Sequence, residues 1–384
     1  MAIESPSNSG IEDPSSQLHE TLHESVNQAF STRRPLLTHL NADTTWLLSI
    51  PYPNSAQKPP NRAYYHILID PWLRGPQSDV AAFFSQQWHA EPSSVQTIAE
   101  LEEVISGIEG AAKGLETSRK LHVKGGDTVV VDSDARGTVE ACAMTEEGGG
   151  RMSNTSQIDA VVVSHEFTDH MHQDTLLEIP NTVPVFASTK AASIIKSWKH
   201  FKSVAEVPRF DGDWHNSSLE GLPEWIGVSR VAYAGKDLLY YHAAIMIVAG
   251  EGEAEAEAVI YTPHGISPEN LAPITTASPK FKTLALLHGL QDIRLPRAQL
   301  NKGAHNGLKA QRFLGAKYWI GTHDEVKKGG GIVSWFLNRK VVTLQDAIEK
   351  EKAEHQGSLK DSELESLAEV RFEALANGES LILD

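Results

Sequence analysis

Five histidines stand in or directly after apolar, β-branched segments that are typical of buried strands. VVVSH ends at His165, VIYTPH at His264, LALLH at His288 and YWIGTH at His323, while His242 falls within the longer segment LLYYHAAIMIV. Strand ends in layered α/β folds meet at one edge, where loops build sites, so we expect several of these imidazoles to share a cluster. Imidazole binds metal ions and carries protons near neutral pH, and the pattern favours these two chemistries.

The densest polar group in the chain is the string SHEFTDHMH, which directly follows a predicted buried strand at residues 159–164. A turn at that point can aim the carboxylate of Asp169 and the imidazole of His170 at the same place. Zinc takes nitrogen from His and oxygen from Asp, usually with four ligands in total, and keeps one position for water in a catalytic site. Taken alone, the string indicates either a metal site or a polar loop.

A strand followed by His-x-His-x-Asp-His, with single ligands at later strand ends, is the arrangement of the metallo-β-lactamase-fold hydrolases. Over roughly residues 36–340 the chain resembles this superfamily, and it is similar to the ascorbate-lactonase-like branch and its fungal-type members. The supporting strings are THLNADTTWLLSI, ILIDPWL, SHEFTDH and AKYWIGTHDE. The resemblance implies a four-layer αββα sandwich of the α/β class and a metal-dependent hydrolase.

The resemblance assigns metal ligands residue by residue. His165, Asp169 and His170 match the first, fifth and sixth positions of the central motif. His242 is similar to the next ligand histidine, and His323 in GTHDE is similar to the last one. We therefore expect these five side chains to lie around one metal centre.

Two positions depart from the pattern of the family. Phe167 occupies the third position of the motif, and His264 stands where the family has a bridging aspartate. With Asp169 as the one carboxylate assigned to the metal, two divalent ions would leave most of their charge uncompensated in a semi-buried pocket. We predict one ion per chain, zinc, with iron or manganese as alternatives. The expected ligands are Asp169, His170, His323 and His264.

The resemblance implies hydrolysis of an ester, lactone, lactam or amide by a metal-activated water. In that reaction Asp169 would hold the water, and His165 or His242 would deliver a proton to the leaving group. A non-haem iron oxidoreductase is an alternative, because two histidines and one carboxylate are also the ligand set of those enzymes. A binding module of the same fold that has lost catalysis is the other alternative.

Five further residues are expected to support the metal or to contact the substrate. Asp70, in ILIDPWL, resembles the acidic residue that supports the site at the end of an early strand. Phe167 would form an apolar wall, and His288 and His305 would orient ligands or contact the substrate. His172 would either face the site or cap the following helix.

Composition limits the partners of the chain. Its 384 residues carry 34 Lys and Arg against 50 Asp and Glu, and the formal net charge of -16 opposes binding to nucleic acid and to anionic membranes. The expected partner is a small-molecule substrate, and no particular oligomeric state is predicted. The single cysteine, Cys142, cannot form an internal disulfide and favours a reducing, cytoplasmic location. We expect neither a secretory signal nor a membrane span.

Polar and apolar segments predict three regions. A polar, mobile tail is expected at residues 1–35, a metallo-β-lactamase-like domain at 36–340 and a helical extension packed on the domain at 341–384. An insertion at about 73–155 is expected to brace the domain or to cover the site.

Short β-branched segments alternate with a few helical stretches in the second half of the chain, which also predicts an αββα sandwich or a related layering. Amphipathic spacing predicts helices at 95–121, 190–199 and 307–313. The acidic tract at 251–258 is expected to be an exposed loop between two strands.

Overall fold

The computed structural model describes residues 25–78, 85–124, 156–232, 241–251, 255–296, 298–330, 338–355, 367 and 369–384. The strands are β1 (Leu36–His39), β2 (Trp46–Pro51), β3 (Tyr64–Ile69), β4 (Gln86–Trp88), β5 (Ala160–Val163), β6 (Val185–Ala187), β7 (Val204–Glu206), β8 (Ile226–Val231), β9 (Ala244–Ala249), β10 (Ala256–Thr262), β11 (Phe281–His288), β12 (Asp292–Leu295), β13 (Ala298–Asn301), β14 (Tyr318–Ile320), β15 (Lys328–Gly330), β16 (Asn338–Lys340), β17 (Phe372–Glu373) and β18 (Ser380–Ile382). The helices are α1 (25–32), α2 (Ile98–Lys124), α3 (Gln173–Glu178), α4 (Thr189–Ser197), α5 (Ala272–Thr275), α6 (Ala304–Leu314) and α7 (Leu344–Glu354), and 3₁₀ turns lie at Trp214–Ser217 and Pro268–Leu271.

Two mixed β-sheets form the middle of the molecule. Among the described residues, the first sheet has the strand order β18-β1-β2-β3-β5-β6-β7 and the second has the order β17-β14-β11-β10-β9-β8. The strands β3, β5, β6 and β7 run parallel in the first sheet, and β10, β11, β14 and β17 run parallel in the second. Because the carboxyl ends of parallel strands meet at one edge, the loops after β5, β10 and β14 can build a single site.

Large apolar side chains pack the two sheets face to face. Trp46, Ile67 and Val162 of the first sheet and Tyr261 and Leu287 of the second belong to one buried cluster. The opposite face of the first sheet is covered by α1, α2, α3 and α4, and that of the second by α5 and α6. The layer order is helix, sheet, sheet, helix, which confirms the predicted four-layer α/β class.

The helix α2 accounts for the apolar stripe in the predicted insertion. Ile98, Leu101, Ile105 and Ile108 recur at spacings of three and four residues, and all are buried against the outer face of the first sheet. Glu109, on the same helix, accepts hydrogen bonds from two backbone N–H groups at the start of β3. In the described part of the insertion, α2 therefore supports the first sheet from outside.

The N-terminal region differs from the expected mobile tail. Residues 25–32 form α1, and Val26 and Ala29 are buried in the same apolar cluster as α2. These two small apolar side chains are three residues apart, so they face the core together on one side of the helix. Residues 1–24 lie outside the described residues.

The C-terminal extension is not helical throughout, which corrects the expectation for residues 341–384. The helix α7 begins at a capping box, in which the Thr343 hydroxyl accepts from the backbone N–H of Asp346 and the Asp346 carboxylate accepts from that of Thr343. Further along, β17 pairs parallel with β14, and β18 pairs antiparallel with β1. These short strands are decided by pairing with distant sheet edges, and periodicity within the segment does not reveal them.

Other local expectations have mixed outcomes. The helices predicted at 190–199 and 307–313 are present as α4 and α6, whereas β10 begins at Ala256, so the end of the acidic tract belongs to a strand. The remainder of the insertion from 125 to 155, including Cys142, lies outside the described residues. In the described part of the chain, no helix is both long and apolar enough to cross a membrane.

Candidate metal centre

Five buried polar side chains meet beyond the carboxyl ends of β5, β10 and β14. They form a cluster of His165, Asp169, His170, His264 and His323, in which no residue is more than 8% exposed. The ring centroid of His170 lies 4.0, 5.1 and 4.9 Å from those of His165, His264 and His323, respectively. The parallel strands thus bring three separate loops of the sequence to one point.

The ligand atoms of the cluster form two groups of three that share His170. One group is His165, His170 and His264, and the other is Asp169, His170 and His323; within each group the atoms lie within 4.8 Å of one another. Asp169 Oδ1 is 3.6 Å from His170 Nε2, and Asp169 Oδ2 is 3.8 Å from His323 Nε2. Zinc ligands lie about 2.0–2.2 Å from the ion, so these separations are compatible with ligands around one ion.

His170 is fixed on one ring nitrogen and has no partner on the other. Its Nδ1 lies 2.7 Å from Asp70 Oδ2, whereas its buried Nε2 has no hydrogen-bond partner among the described residues. Metal-binding histidines commonly have a carboxylate on the opposite nitrogen in this way. Burial lowers the pKa of His170, but the charges of Asp169 and Asp70 outweigh it and raise the pKa above its usual value.

His323 repeats this arrangement with a different carboxylate. Its Nδ1 lies 3.0 Å from Asp43 Oδ1, and its Nε2 faces Asp169. The backbone N–H of His323 also donates to the carbonyl oxygen of Asp43 over 2.8 Å. His323 and Asp70 have positive φ angles of 58° and 44°, and such a conformation costs a non-glycine residue about 1–3 kcal/mol and is concentrated at functional sites.

A buried lysine, Lys327, pairs with two carboxylates at the cluster. The Nζ atom of Lys327 lies 2.7 Å from Asp43 Oδ2 and 2.7 Å from Asp169 Oδ2, and its side chain is 4% exposed. Burial lowers the pKa of Lys327, yet the two carboxylates outweigh burial and raise it above its usual value. Burial raises the pKa of Asp43 and Asp169, but Lys327 and the neighbouring histidines together outweigh it and hold both below their usual range. All three groups are therefore charged.

On the other side of the cluster, two histidines face each other. His165 Nε2 and His264 Nε2 are 2.5 Å apart, while His165 Nδ1 lies 2.9 Å from the hydroxyl of Ser164 and His264 Nδ1 lies 2.8 Å from Asn301 Oδ1. Burial, together with the charges of the neighbouring histidines, lowers the pKa of both rings well below the usual value. The pair is therefore neutral. The Ser164 hydroxyl donates to Asp70 and Asn301 Oδ1 is an acceptor, so each ring carries its proton on Nδ1 and both Nε2 atoms are acceptors.

A cavity of about 300 Å³ opens onto the cluster. Asp169, His264, His323 and Lys327 are among the residues that line it. Phe167 also lines it, and its ring lies 4.9 Å from that of His165. The cavity therefore presents charged, neutral imidazole and apolar groups to whatever enters it.

Two predicted site residues lie outside both groups of ligand atoms. Since β9 begins at Ala244, His242 precedes this strand and is not inside it, and its Nε2 is 3.1 Å from the carbonyl oxygen of Leu300. His172 is buried and caps α3, where its side chain accepts from the backbone N–H of Thr175. Of the two alternatives for His172, the structure shows the cap.

His288 and His305 also make their contacts away from the cluster. His288 ends β11, and its ring bonds to the carbonyl oxygen of Gly289 and to the side chain of Asn306. His305 lies on α6, and its Nε2 is 2.9 Å from Glu351 of α7. In these contacts both histidines hold α6 in place.

Sequence reasoning missed several residues that touch the cluster, among them Asp43, Lys327 and Asn301. Asp43 stands in the string THLNADTTWLLSI, and Lys327 follows His323 in the string THDEVKK. The position of Asp43 within the first string, and of Lys327 four residues after His323, is the one signal in the sequence that could have identified them. A single charged residue in a polar loop has no periodic pattern that distinguishes it from a solvated one.

No protein-family model and no curated protein matches the chain. Solved structures that resemble it include a possible metal-dependent hydrolase from Veillonella parvula DSM 2008, with 13% identity, 91% of this chain and 99% of that chain covered and a TM-score of 0.49. An isothiocyanate hydrolase from Delia radicum gut bacteria has 13% identity, coverage of 90% and 98%, and a TM-score of 0.47. The metallo-β-lactamase fold protein YhfI from Bacillus subtilis has 11% identity, coverage of 91% and 99%, and a TM-score of 0.41. Because these identities are at most 13% and the TM-scores are below 0.5, the function of this chain is inferred from its own side chains.

Proposed function

We propose that the chain is a metal-dependent hydrolase that uses one divalent ion, expected to be zinc, on a small carbonyl substrate. The observation that carries this proposal is the Nε2 atom of His170. It is buried, has no hydrogen-bond partner among the described residues and belongs to both groups of ligand atoms. A buried polar atom left without a partner costs about 1–3 kcal/mol, and a cation at this point would remove that cost.

The donor set fits a catalytic zinc ion. Asp169, His170 and His323 offer one carboxylate oxygen and two imidazole nitrogens, and three protein ligands plus a water are typical of such sites. The carboxylates of Asp70 and Asp43 hold the Nδ1 atoms of the two histidines, which leaves the Nε2 atoms for the ion. His264, which the sequence suggested as a fourth ligand, belongs to the other group and faces His165.

When bound, the ion would supply Lewis acidity, which acidifies water and polarises a carbonyl oxygen. The neutral pair of His165 and His264 can take a proton at Nε2 and return it to a leaving group. His264 is the member of the pair that lines the cavity, whereas the Nε2 atom of His242 faces the carbonyl oxygen of Leu300. Phe167 would exclude water from one wall of the cavity.

The size of the cavity supports a small substrate. Its volume of about 300 Å³ lies at the lower end of the range that is usual for small-molecule sites. An ester, lactone, lactam or small amide would fit this volume.

One alternative has a specific observation in its favour. Asp169, His170 and His323 are two histidines and one carboxylate, and this is also the ligand set of non-haem iron oxygenases. Iron in the purified protein would therefore favour an oxidoreductase.

Metal content tests the proposal. Elemental mass spectrometry is applied to the chain purified without an affinity-tag metal, to His170→Ala and to His215→Ala as the matched control. His215 is half-exposed and paired with Asp213 at the surface. We expect about one zinc per chain, lost in His170→Ala and kept in His215→Ala. A chain without metal, or His170→Ala protein that keeps its zinc, would refute the proposal.

A further inference from the structure

The buried ammonium group of Lys327 is the feature of the cluster that the proposed hydrolysis does not use. It makes ion pairs of 2.7 Å with both Asp43 and Asp169, and it lies 5.3 Å from the ring centroid of Trp72. A lysine side chain is rarely buried unless it is paired. Here it is placed between a candidate ligand and the carboxylate that orients another candidate ligand, so its charge acts directly on the metal centre.

The charges that touch the candidate ligands can be counted. Asp169 is itself a ligand, Asp70 contacts His170 and Asp43 contacts His323, so three buried carboxylates belong to the centre. Lys327 contributes the opposing positive charge. With the imidazoles neutral, as metal binding requires, three carboxylates and one ammonium leave a net charge of about -2, which one divalent ion neutralises.

Two further carboxylates nearby are bonded away from the cluster. Glu325 lies on the cavity wall, but its carboxylate pairs with His89 at 2.7 Å and accepts from the backbone N–H of Ala90. Asp324 accepts from the backbone N–H groups of Leu290 and Gln291. Neither carboxylate contacts a candidate ligand in these bonds.

We propose that Lys327 is an internal counter-cation that sets the charge of the centre to match a single divalent ion. This inference rests on the proposed metal-dependent function. Phe167 stands where the motif has a histidine, so the centre has one nitrogen ligand fewer. The absence of that nitrogen weakens metal binding only at the position that it would have served. The ammonium group opposes every additional cation in the cluster, because like charges in a low-dielectric interior repel strongly. Lys327 would therefore limit the binding of metal at the centre as a whole.

A purely structural role for Lys327 predicts the opposite change in metal affinity when the ammonium group is removed. If the ammonium group served to orient Asp169, its removal would loosen a ligand and weaken metal binding. If it served as a counter-cation, its removal would leave the centre more negative, and a divalent ion would bind more tightly. The sign of the change in affinity therefore distinguishes the two roles.

Zinc affinity in a charge series of the full-length chain provides the test, with zinc alone as the probe and a chelating dye as competitor. Lys327→Met removes the positive charge, Lys327→Gln removes the charge but keeps a hydrogen-bond donor for the carboxylates, and Lys327→Arg keeps the charge. Lys328→Met is the matched control, because Lys328 is the exposed neighbour in sequence. We expect Lys327→Met and Lys327→Gln to bind zinc at least tenfold more tightly, and Lys327→Arg and Lys328→Met to bind it within about threefold of the wild type.

Each outcome decides the proposal. Zinc binding by Lys327→Gln that is unchanged or weaker than that of the wild type would show an orienting role and overturn it. If Lys327→Met does not fold by circular dichroism, Lys327→Gln still decides, because its amide can donate to the carboxylates that the ammonium group contacts. A wild-type chain that binds no zinc would overturn both this inference and the proposed function, whereas a wild-type chain that binds one zinc while Lys327→Gln binds it no more tightly would overturn this inference alone.

Discussion

At the scale of single residues, the carboxylate of Asp70 organises the first candidate ligand. Its oxygens accept from the backbone N–H of Ser164 at 2.7 Å, from the Ser164 hydroxyl at 2.5 Å and from Nδ1 of His170 at 2.7 Å. With a proton on Nδ1, the neutral His170 ring carries its lone pair on Nε2, which faces the cluster. Asp70 therefore decides which nitrogen of His170 is available to a metal ion.

Asp70→Asn is expected to weaken zinc binding by about 10- to 100-fold, because the amide can present a donor where His170 needs an acceptor. The affinity is measured by competition with a chelating dye. Asp213→Asn is the matched control, since Asp213 also contacts a histidine Nδ1, that of His215, but at the protein surface. An unchanged affinity in Asp70→Asn would show that this carboxylate does not act on the metal centre.

The residues that sequence could and could not identify differ in their surroundings. His165, His264 and His323 each follow an apolar segment, so the strand that positions them also marks them in the sequence. Asp43 and Lys327 meet from loops that are distant in sequence, and their ion pair depends on how the two sheets pack. No local pattern encodes such a contact, which is why the candidate ligands were predicted and the counter-cation was not.

At the scale of elements, the order of parallel strands explains why the cluster forms. The interior strand β5 supplies His165, Asp169 and His170 from its following loop, while β10 and β14 supply the other two histidines from the facing sheet. These strands were predictable because their buried residues form continuous apolar segments. The short strands β17 and β18 were not, because two or three residues at a sheet edge carry too little pattern.

Helix α2 packs against the first sheet, and its contribution can be measured by truncating one buried side chain. Ile105→Ala is expected to lower the free energy of unfolding by about 2–5 kcal/mol, because Ile105 is fully buried in the cluster under the helix. Glu103→Ala, on the exposed face of the same helix, should change it by no more than about 0.5 kcal/mol. Urea denaturation gives both values. A loss in Ile105→Ala as small as that in Glu103→Ala would contradict the role of α2 as an outer layer.

At the scale of the whole molecule, both the net charge and the architecture favour the binding of a cation. The formal net charge of -16 favours the approach of cations over anions, and the αββα sandwich places the buried histidine cluster and its three carboxylates at the edge of its parallel strands. The four-layer class could be predicted because it follows from the number and spacing of apolar segments. The termini could not, because α1 and β18 are fixed by contacts with elements far away in the sequence.

The central claim is that one metal ion is held by Asp169, His170 and His323. Anomalous X-ray scattering at the zinc edge, from crystals grown with zinc, tests it most directly. We expect one strong peak per chain, about 2.0–2.2 Å from a carboxylate oxygen of Asp169 and from the Nε2 atoms of His170 and His323. Two peaks in the cluster would contradict the single ion, and a peak elsewhere, or none, would contradict the metal centre itself.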